Sequence, residues 1–188
     1  MPDQVKGDKR SEGWSKDRIL GERVARFDKL VPTSKSFVDT VVDGHQRDIY
    51  MVIGNGVNED SEHKPAIEDH RDISVGIISA EHGNGASLHL HTAVEMFMPL
   101  EGRWAIYWLD QNTEQQEVIL EKHDVISVPP GIFRGFRNES GETALLFAIN
   151  GNTDPGRVEW PQELLDRAAA KGYSLDEQGN LLEGGASQ

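Results

Sequence analysis

Cysteine is missing from this 188-residue chain, which excludes disulfides, thiolate metal ligands and thiolate catalysis while leaving the compartment open. Long apolar runs are also missing: none approaches the ~20 residues that a membrane-spanning helix needs. The first ten residues, Met1-Pro-Asp-Gln-Val-Lys-Gly-Asp-Lys-Arg10, lack the apolar centre of a secretion signal, so a cytoplasmic protein is expected. Basic residues are scarce beside acidic ones, 19 Lys+Arg against 32 Asp+Glu, a formal charge of 19 − 32 = −13. That balance argues against nucleic acid or an anionic membrane as partner. The length suits one domain with a real core.

What the chain does have is Gly83-Asn-Gly-Ala-Ser-Leu-His89-Leu-His91-Thr-Ala-Val-Glu95, closed by Gly102. On a strand, His89 and His91 are two residues apart and project from the same face. Glu95 follows after a short break, at the start of a second strand-like run. Two imidazoles and one carboxylate form a facial set that leaves coordination positions open, which suits non-haem Fe(II), Mn(II), Ni(II) or Zn(II). An HxH pair alone would more simply be two strand histidines; the carboxylate at this spacing is what points to a metal.

The full spacing resembles the first motif of the cupin superfamily at every defined position: Gly83, five residues, His89-x-His91, three residues, Glu95, six residues, Gly102. The second cupin motif, Gly, five residues, Pro-x-Gly, two residues, His, three residues, Asn, is matched in part by His123-Asp-Val-Ile-Ser-Val-Pro129-Pro-Gly131-Ile-Phe-Arg134-Gly-Phe-Arg-Asn138. Pro129, Gly131 and Asn138 are in register, but His123 takes the glycine position and Arg134 that of the metal-ligand histidine. The resemblance spans roughly residues 70 to 150. It implies an all-β double-stranded β-helix, a jelly-roll barrel, and leaves the reaction open, because cupins include dioxygenases, decarboxylases, lyases, isomerases, epimerases, storage proteins and sensors.

The substitution by Arg134 poses the main chemical question. A guanidinium stays protonated and cannot be a metal ligand; it offers a planar fork of five N–H donors instead. In one reading the metal rests on His89, His91 and Glu95, and Arg134 points at an anionic substrate bound beside it. In the other, Arg134 turns inward and pairs with Glu95 without metal. A third places His123 as a replacement ligand, although the resemblance sets it in a turn remote from the metal.

Around this centre the chain divides into a disordered start (1–13), an N-terminal helix and arm (14–47), the barrel (48–152) and a C-terminal helix and tail (153–188). Ser15 can cap a helix running to about Leu30, with Leu20, Val24, Phe27 and Val31 at helical spacing and Pro32 ending it. Asp48–Ile53 and Ile73–Ile78 read as strands, as do later runs beginning near Arg103, Glu117, Val125, Phe133 and Thr143. Short strands separated by Gly, Asn and Pro turns read as an antiparallel sandwich or jelly roll even without the resemblance. The polar insertion 54–71, with His63 and His70, is either disordered or a lid. Pro161 to Lys171 is a second helix with Leu164, Leu165 and Ala168 as its stripe, followed by a turn and a polar tail.

The expected site is therefore metal on His89, His91 and Glu95, with Arg134 and Tyr107 as candidate catalytic groups and Arg134, Phe97, Trp108 and Phe136 as candidate substrate contacts. Arg103 and Arg137 are expected in surface ion pairs. The cofactor is one divalent metal per chain, iron first, with Mn, Ni or Zn as alternatives. The expected activity is a non-haem Fe(II)-type dioxygenase acting on a small anionic aromatic or dicarbonyl compound. A non-redox lyase, isomerase or decarboxylase, and a non-catalytic small-molecule binder, are the alternatives. A homodimer is expected.

Overall fold

The computed structural model describes residues 13–68, 72–151 and 156–184, so most of the N-terminal start and His70 lie outside the described residues. Among them a short helix, α1 (Lys16–Glu22), leads into the strands β1 (Asp48–Ile53), β2 (Ile73–Ala80), β3 (Gly85–His89), β4 (Val94–Pro99), β5 (Trp104–Leu109), β6 (Gln115–Leu120), β7 (Ile126–Val128), β8 (Arg134–Asn138) and β9 (Ala144–Gly151). Helix α2 (Gln162–Ala169) and a hairpin, β10 (Tyr173–Leu175) with β11 (Leu181–Glu183), follow. Two antiparallel sheets face one another, in strand orders β1-β2-β9-β4-β7 and β3-β8-β5-β6. This is the expected jelly roll.

Period-two alternation decides which side chains enter the space between the sheets. On β4 it buries Glu95, Phe97 and Pro99; on β8 it turns Arg134, Phe136 and Asn138 inward. The core is Ile49, Met51, Ile78, Phe97, Trp104, Ile106, Phe136 and Leu146, with Phe97 and Phe136 meeting edge to face at 5.2 Å. The motif glycine Gly102 turns the chain at φ +63°, and a Cβ there would lie 2.0 Å from Ser140 Oγ. His123, where the cupin pattern has glycine, adopts the same left-handed backbone at φ +73° and is exposed. The turn demands the conformation whichever residue occupies it.

Two elements differ from their sequence expectation. The first helix stops at Glu22 instead of continuing to Leu30, and none of its residues is buried. Ser15 caps it as expected, its Oγ accepting from the Arg18 N–H at 3.1 Å. Beyond it the Phe27 ring packs on Tyr50 of β1 at 4.9 Å, and the chain makes a 3₁₀ turn there, Phe27–Lys29, so the apolar spacing never becomes one helical face. A seven-residue helix with no surface beneath its stripe has little to extend it. The second difference is the hairpin β10–β11, expected as a turn and polar tail. Asp176 organises its turn by accepting the N–H groups of Gln178 and Asn180 at 2.8 and 2.7 Å. Tyr173, Leu175 and Leu181 then pack on a second small core of Val38, Val42, Leu164 and Ala168.

The arm before β1 is fastened by a buried ion pair. Arg47 donates from Nη2 and Nη1 to Asp39 Oδ1 and Oδ2 at 2.9 and 3.0 Å, and the side chains are 2% and 0% exposed. Asp39 also accepts from the Ser87 N–H at 2.9 Å, tying the arm to β3. Truncating Asp39→Ala strands a buried guanidinium and should cost about 3–5 kcal/mol in urea unfolding. His123→Gly should act in the opposite direction, stabilising by about 0.5–1 kcal/mol by the same measurement, because glycine adopts positive φ without steric cost.

Candidate metal centre

The two sheets and the connection between β3 and β4 each contribute to one cluster. His89 ends β3 and pairs with Arg134 of the neighbouring β8. His91 lies just past the strand, and its carbonyl accepts from the Gly131 N–H at 3.3 Å. Glu95 comes from β4 in the opposite sheet. The sequence expected both rings on one strand; instead the strand ends between them, yet their centroids remain 5.8 Å apart. One ligand atom from each of His89, His91 and Glu95 lies within 4.8 Å of the others, and all three residues are buried. His123 is not part of this group.

The donor chemistry suits a divalent cation. His89 Nδ1–H can donate to the Ser87 carbonyl at 2.8 Å, which leaves Nε2 as the free lone pair. Burial pushes the His89 pKa down to about 4, with the Arg134 charge adding to the effect, so the ring is neutral at ordinary pH. Burial opposes ionisation of Glu95, but the His91 hydrogen bond and the nearby imidazoles and guanidinium outweigh it and hold its pKa at about 2. His91 Nε2 stands 3.4 Å from Glu95 Oε2, a separation that two ligands of one ion can share.

Arg134 occupies the remaining side. It is fully buried, and its Nε donates to Glu95 Oε2 at 3.1 Å while Nη1 donates to the Ile132 carbonyl at 3.2 Å. Nη2 lies 2.7 Å from His91 Nδ1 and also against its Nε2. The Arg134–Glu95 contact of the second sequence reading is present, beside a His89–His91–Glu95 set that suits a metal ion. Burial lowers the guanidinium pKa, and Glu95 opposes that shift without cancelling it. The consequence is competition, because the same carboxylate oxygen and imidazole serve either the guanidinium or a metal ion.

A cavity of about 60 Å³ opens beside this cluster, with His89 and Glu95 in its wall. Most of the remaining wall is apolar, including Met51, Ile78, Phe136 and Trp160, with Arg47, Asn55, Ser74 and Asn150 as polar exceptions. Ser74, Asn150 and Glu95 share one rung across β2, β9 and β4. The other expected contacts separate. Phe136 lines the cavity; Phe97 is packed behind it in the core. Trp108 pairs with Arg134 across β5 and β8 without reaching the cavity wall. Tyr107 faces the other side of the sheet, donating from its hydroxyl to the Ala86 carbonyl at 2.5 Å, and burial pushes its pKa up to about 12. It does not join the cluster. Arg137 pairs with Glu117 and Glu139, and Arg103 with Glu121, as surface ion pairs.

Sequence reasoning did not find Trp160, whose ring packs on His89 at 5.3 Å with the planes tilted by 42°, nor Asn150 and Ser74. No local spacing marks them, since Trp160 stands 71 residues from His89 in the chain. Residues 55–57 of the insertion also form cavity wall.

A jelly roll holding two imidazoles and a carboxylate between its sheets defines a class of protein with a candidate metal centre. Residues 76–150 match the family model described as "Cupin domain". No curated protein matches the chain by sequence. Among solved structures, oxalate decarboxylase from Lactobacillus farciminis, a formate complex, aligns with a TM-score of 0.51 at 15% identity. That alignment covers 74% of this chain and 36% of the decarboxylase, so the chain spans about a third of that enzyme's length. The cupin domain of Schizosaccharomyces pombe Cnp3 aligns with a TM-score of 0.49 at 10% identity, over 69% of this chain and 74% of that one. A cupin-like protein from Thermotoga maritima aligns with a TM-score of 0.45 at 18% identity, over 62% and 77%. At these identities the likeness concerns the fold. No helix among the described residues is long and apolar enough to cross a membrane.

Metal titration by calorimetry separates the roles at the cluster. His89→Ala should lower Mn(II) or Fe(II) affinity by at least about 100-fold, the loss of one ligand, without exposing a buried charge. Arg134→Ala should raise affinity by about tenfold, because it removes the competing cation. Glu95→Ala is a poorer probe, since it also leaves Arg134 buried and unpaired.

Proposed function

We propose that this cupin domain is a metal-dependent enzyme, a non-haem Fe(II)-type dioxygenase acting on a small anionic dicarbonyl compound. The observation that carries the reading is the buried set of His89, His91 and Glu95, which supplies three protein ligands and leaves the other positions to substrate and O₂. Bound iron would supply the redox and Lewis-acid chemistry. The protein's own groups account for the rest.

Cavity size chooses within the substrate class. An apolar cavity of about 150 Å³ takes a benzene ring, and the volume beside His89 and Glu95 is less than half of that. A short aliphatic dicarbonyl fits this small cavity better than an aromatic acid. Its charge is favoured because a divalent ion and Arg134 together exceed the single charge of Glu95. With His91 and Glu95 serving as metal ligands, Arg134 would have its N–H donors free for a substrate oxygen. His89, neutral and fixed through Nδ1, keeps its orientation throughout. The apolar wall excludes water from the reacting centre.

Iron-loaded protein should consume O₂ in stoichiometric proportion to a short anionic dicarbonyl such as glyoxylate, followed with an oxygen electrode, and should be inert towards catechol. Loss of substrate under strict anoxia, with Mn(II) or Zn(II) as effective as Fe(II), would replace the dioxygenase reading with a lyase or decarboxylase at the same centre. Metal binding without turnover of either kind would leave a small-molecule binder.

A further inference from the structure

The insertion between β1 and β2 meets the cavity through Asn55, Gly56 and Val57. Its base is fixed: Ile53 and Ile67 form a parallel bridge, with Gly54 N–H donating to Ile67 O at 3.0 Å and Ala66 N–H to Met51 O at 3.1 Å. A loop whose two ends are joined in this way can move as a flap about that base. Its far side is held chiefly by one residue. Glu59 is 4% exposed, and its Oε2 accepts from the Val38 N–H at 2.6 Å while Oε1 accepts from Trp160 Nε1–H at 2.7 Å. Its backbone N–H donates to Ser36 O at 2.9 Å, and its carbonyl accepts from the Leu181 N–H at 2.8 Å. Thr33 adds a weaker tie, donating from Oγ1 to Asp60 Oδ2 at 3.0 Å.

We propose that residues 54–67 are a lid over the metal cavity and that Glu59 is its clasp, holding the lid shut and Trp160 against His89, so that the closed site admits only molecules of a few non-hydrogen atoms. This rests on the cavity being the substrate site, as proposed above. Glu59 acts through Trp160 and the lid and is a positioning residue. The fit of the lid is tight at Gly56, where φ is +56° and a Cβ would lie 2.7 Å from Ser74 Oγ. A side chain there would lift the lid from β2.

The carboxyl of Glu59 responds to pH. Burial pushes its pKa up to about 8, and the buried Asp39 carboxylate pushes the same way. The Trp160 and Val38 N–H groups and the Arg47 guanidinium oppose them. In an open lid the group returns to the ordinary carboxylate range near 4.5. The closed form therefore binds the proton more tightly than the open form. Its advantage is fully present below the open-lid pKa and is lost as pH rises through about 8.

The test uses the full chain loaded with Co(II), whose visible absorption reports anion binding. Dissociation constants are measured for acetate, which fits the closed cavity, and benzoate, which exceeds it. Wild type should prefer acetate, and Glu59→Ala should gain benzoate affinity by about tenfold with acetate little changed. Gly56→Ala should do the same by prising the lid, which keeps the proposal open to failure if Glu59→Ala does not fold. Wild-type discrimination should narrow as pH rises through about 8, and Glu59→Gln should flatten that dependence. Discrimination within twofold of wild type in folded Glu59→Ala or Gly56→Ala protein overturns the lid. If wild type binds no Co(II), the metal reading fails separately, and hydrogen exchange decides the clasp. Glu59→Ala must then speed exchange in 54–67 by about tenfold relative to β5 and β8, and unchanged exchange overturns it.

Discussion

A guanidinium with no access to water must be matched by acceptors, and Arg134 is in that position between the two sheets. Desolvating such a charge costs several kcal/mol, which only close partners offset. Glu95 from the opposite sheet, the Ile132 carbonyl and His91 supply them. Each of those groups is consequently fixed in place. The same requirement sets the carboxylate and imidazole at a separation that a metal ion could also use. The candidate centre is therefore balanced between two cations, one built into the chain and one acquired.

That balance gives the cavity its chemical character. The wall next to His89 and Glu95 is mostly aliphatic and aromatic, and the other charged group in it, Arg47, is already paired with Asp39. A metal ion would add two positive charges there and free the guanidinium from its partners. An anion would then meet both cations in a place where water screens neither, which is the condition under which electrostatic contacts are strongest. Selection by size comes from elsewhere, from the 54–67 segment and Trp160. Those elements approach the barrel from the insertion and from the segment before α2, and they meet at the buried carboxyl of Glu59. The arm is fixed to the same end of the barrel by the Arg47–Asp39 pair.

Much of the barrel was legible in the sequence because period-two alternation and turn residues are local signals. Asp48–Ile53 and the runs that became β5 to β9 were recognisable from composition alone. The histidine and glutamate spacing likewise predicted a cluster that the fold does assemble. The first helix misled, since Leu20, Val24, Phe27 and Val31 have helical spacing but no surface to bury it against; the Phe27 ring found Tyr50 instead. The terminal hairpin was missed because its strands are three residues each and depend on α2 for their packing. Tyr107 was misleading for a different reason. Its neighbours on β5 enter the core, and only the pleat decides that its own ring leaves it.

By itself the sequence determined the strand pattern, the acidic surface, the absence of thiol chemistry and the identity of three candidate ligands, because each depends on residue type and near-neighbour spacing. Tertiary structure decided where Arg134 points, how much room stands beside His89, and that Glu59 and Trp160 meet through a hydrogen bond. Those outcomes depend on contacts between residues tens of positions apart. Their partners are chosen by the packing of two sheets and an insertion, which no local period encodes.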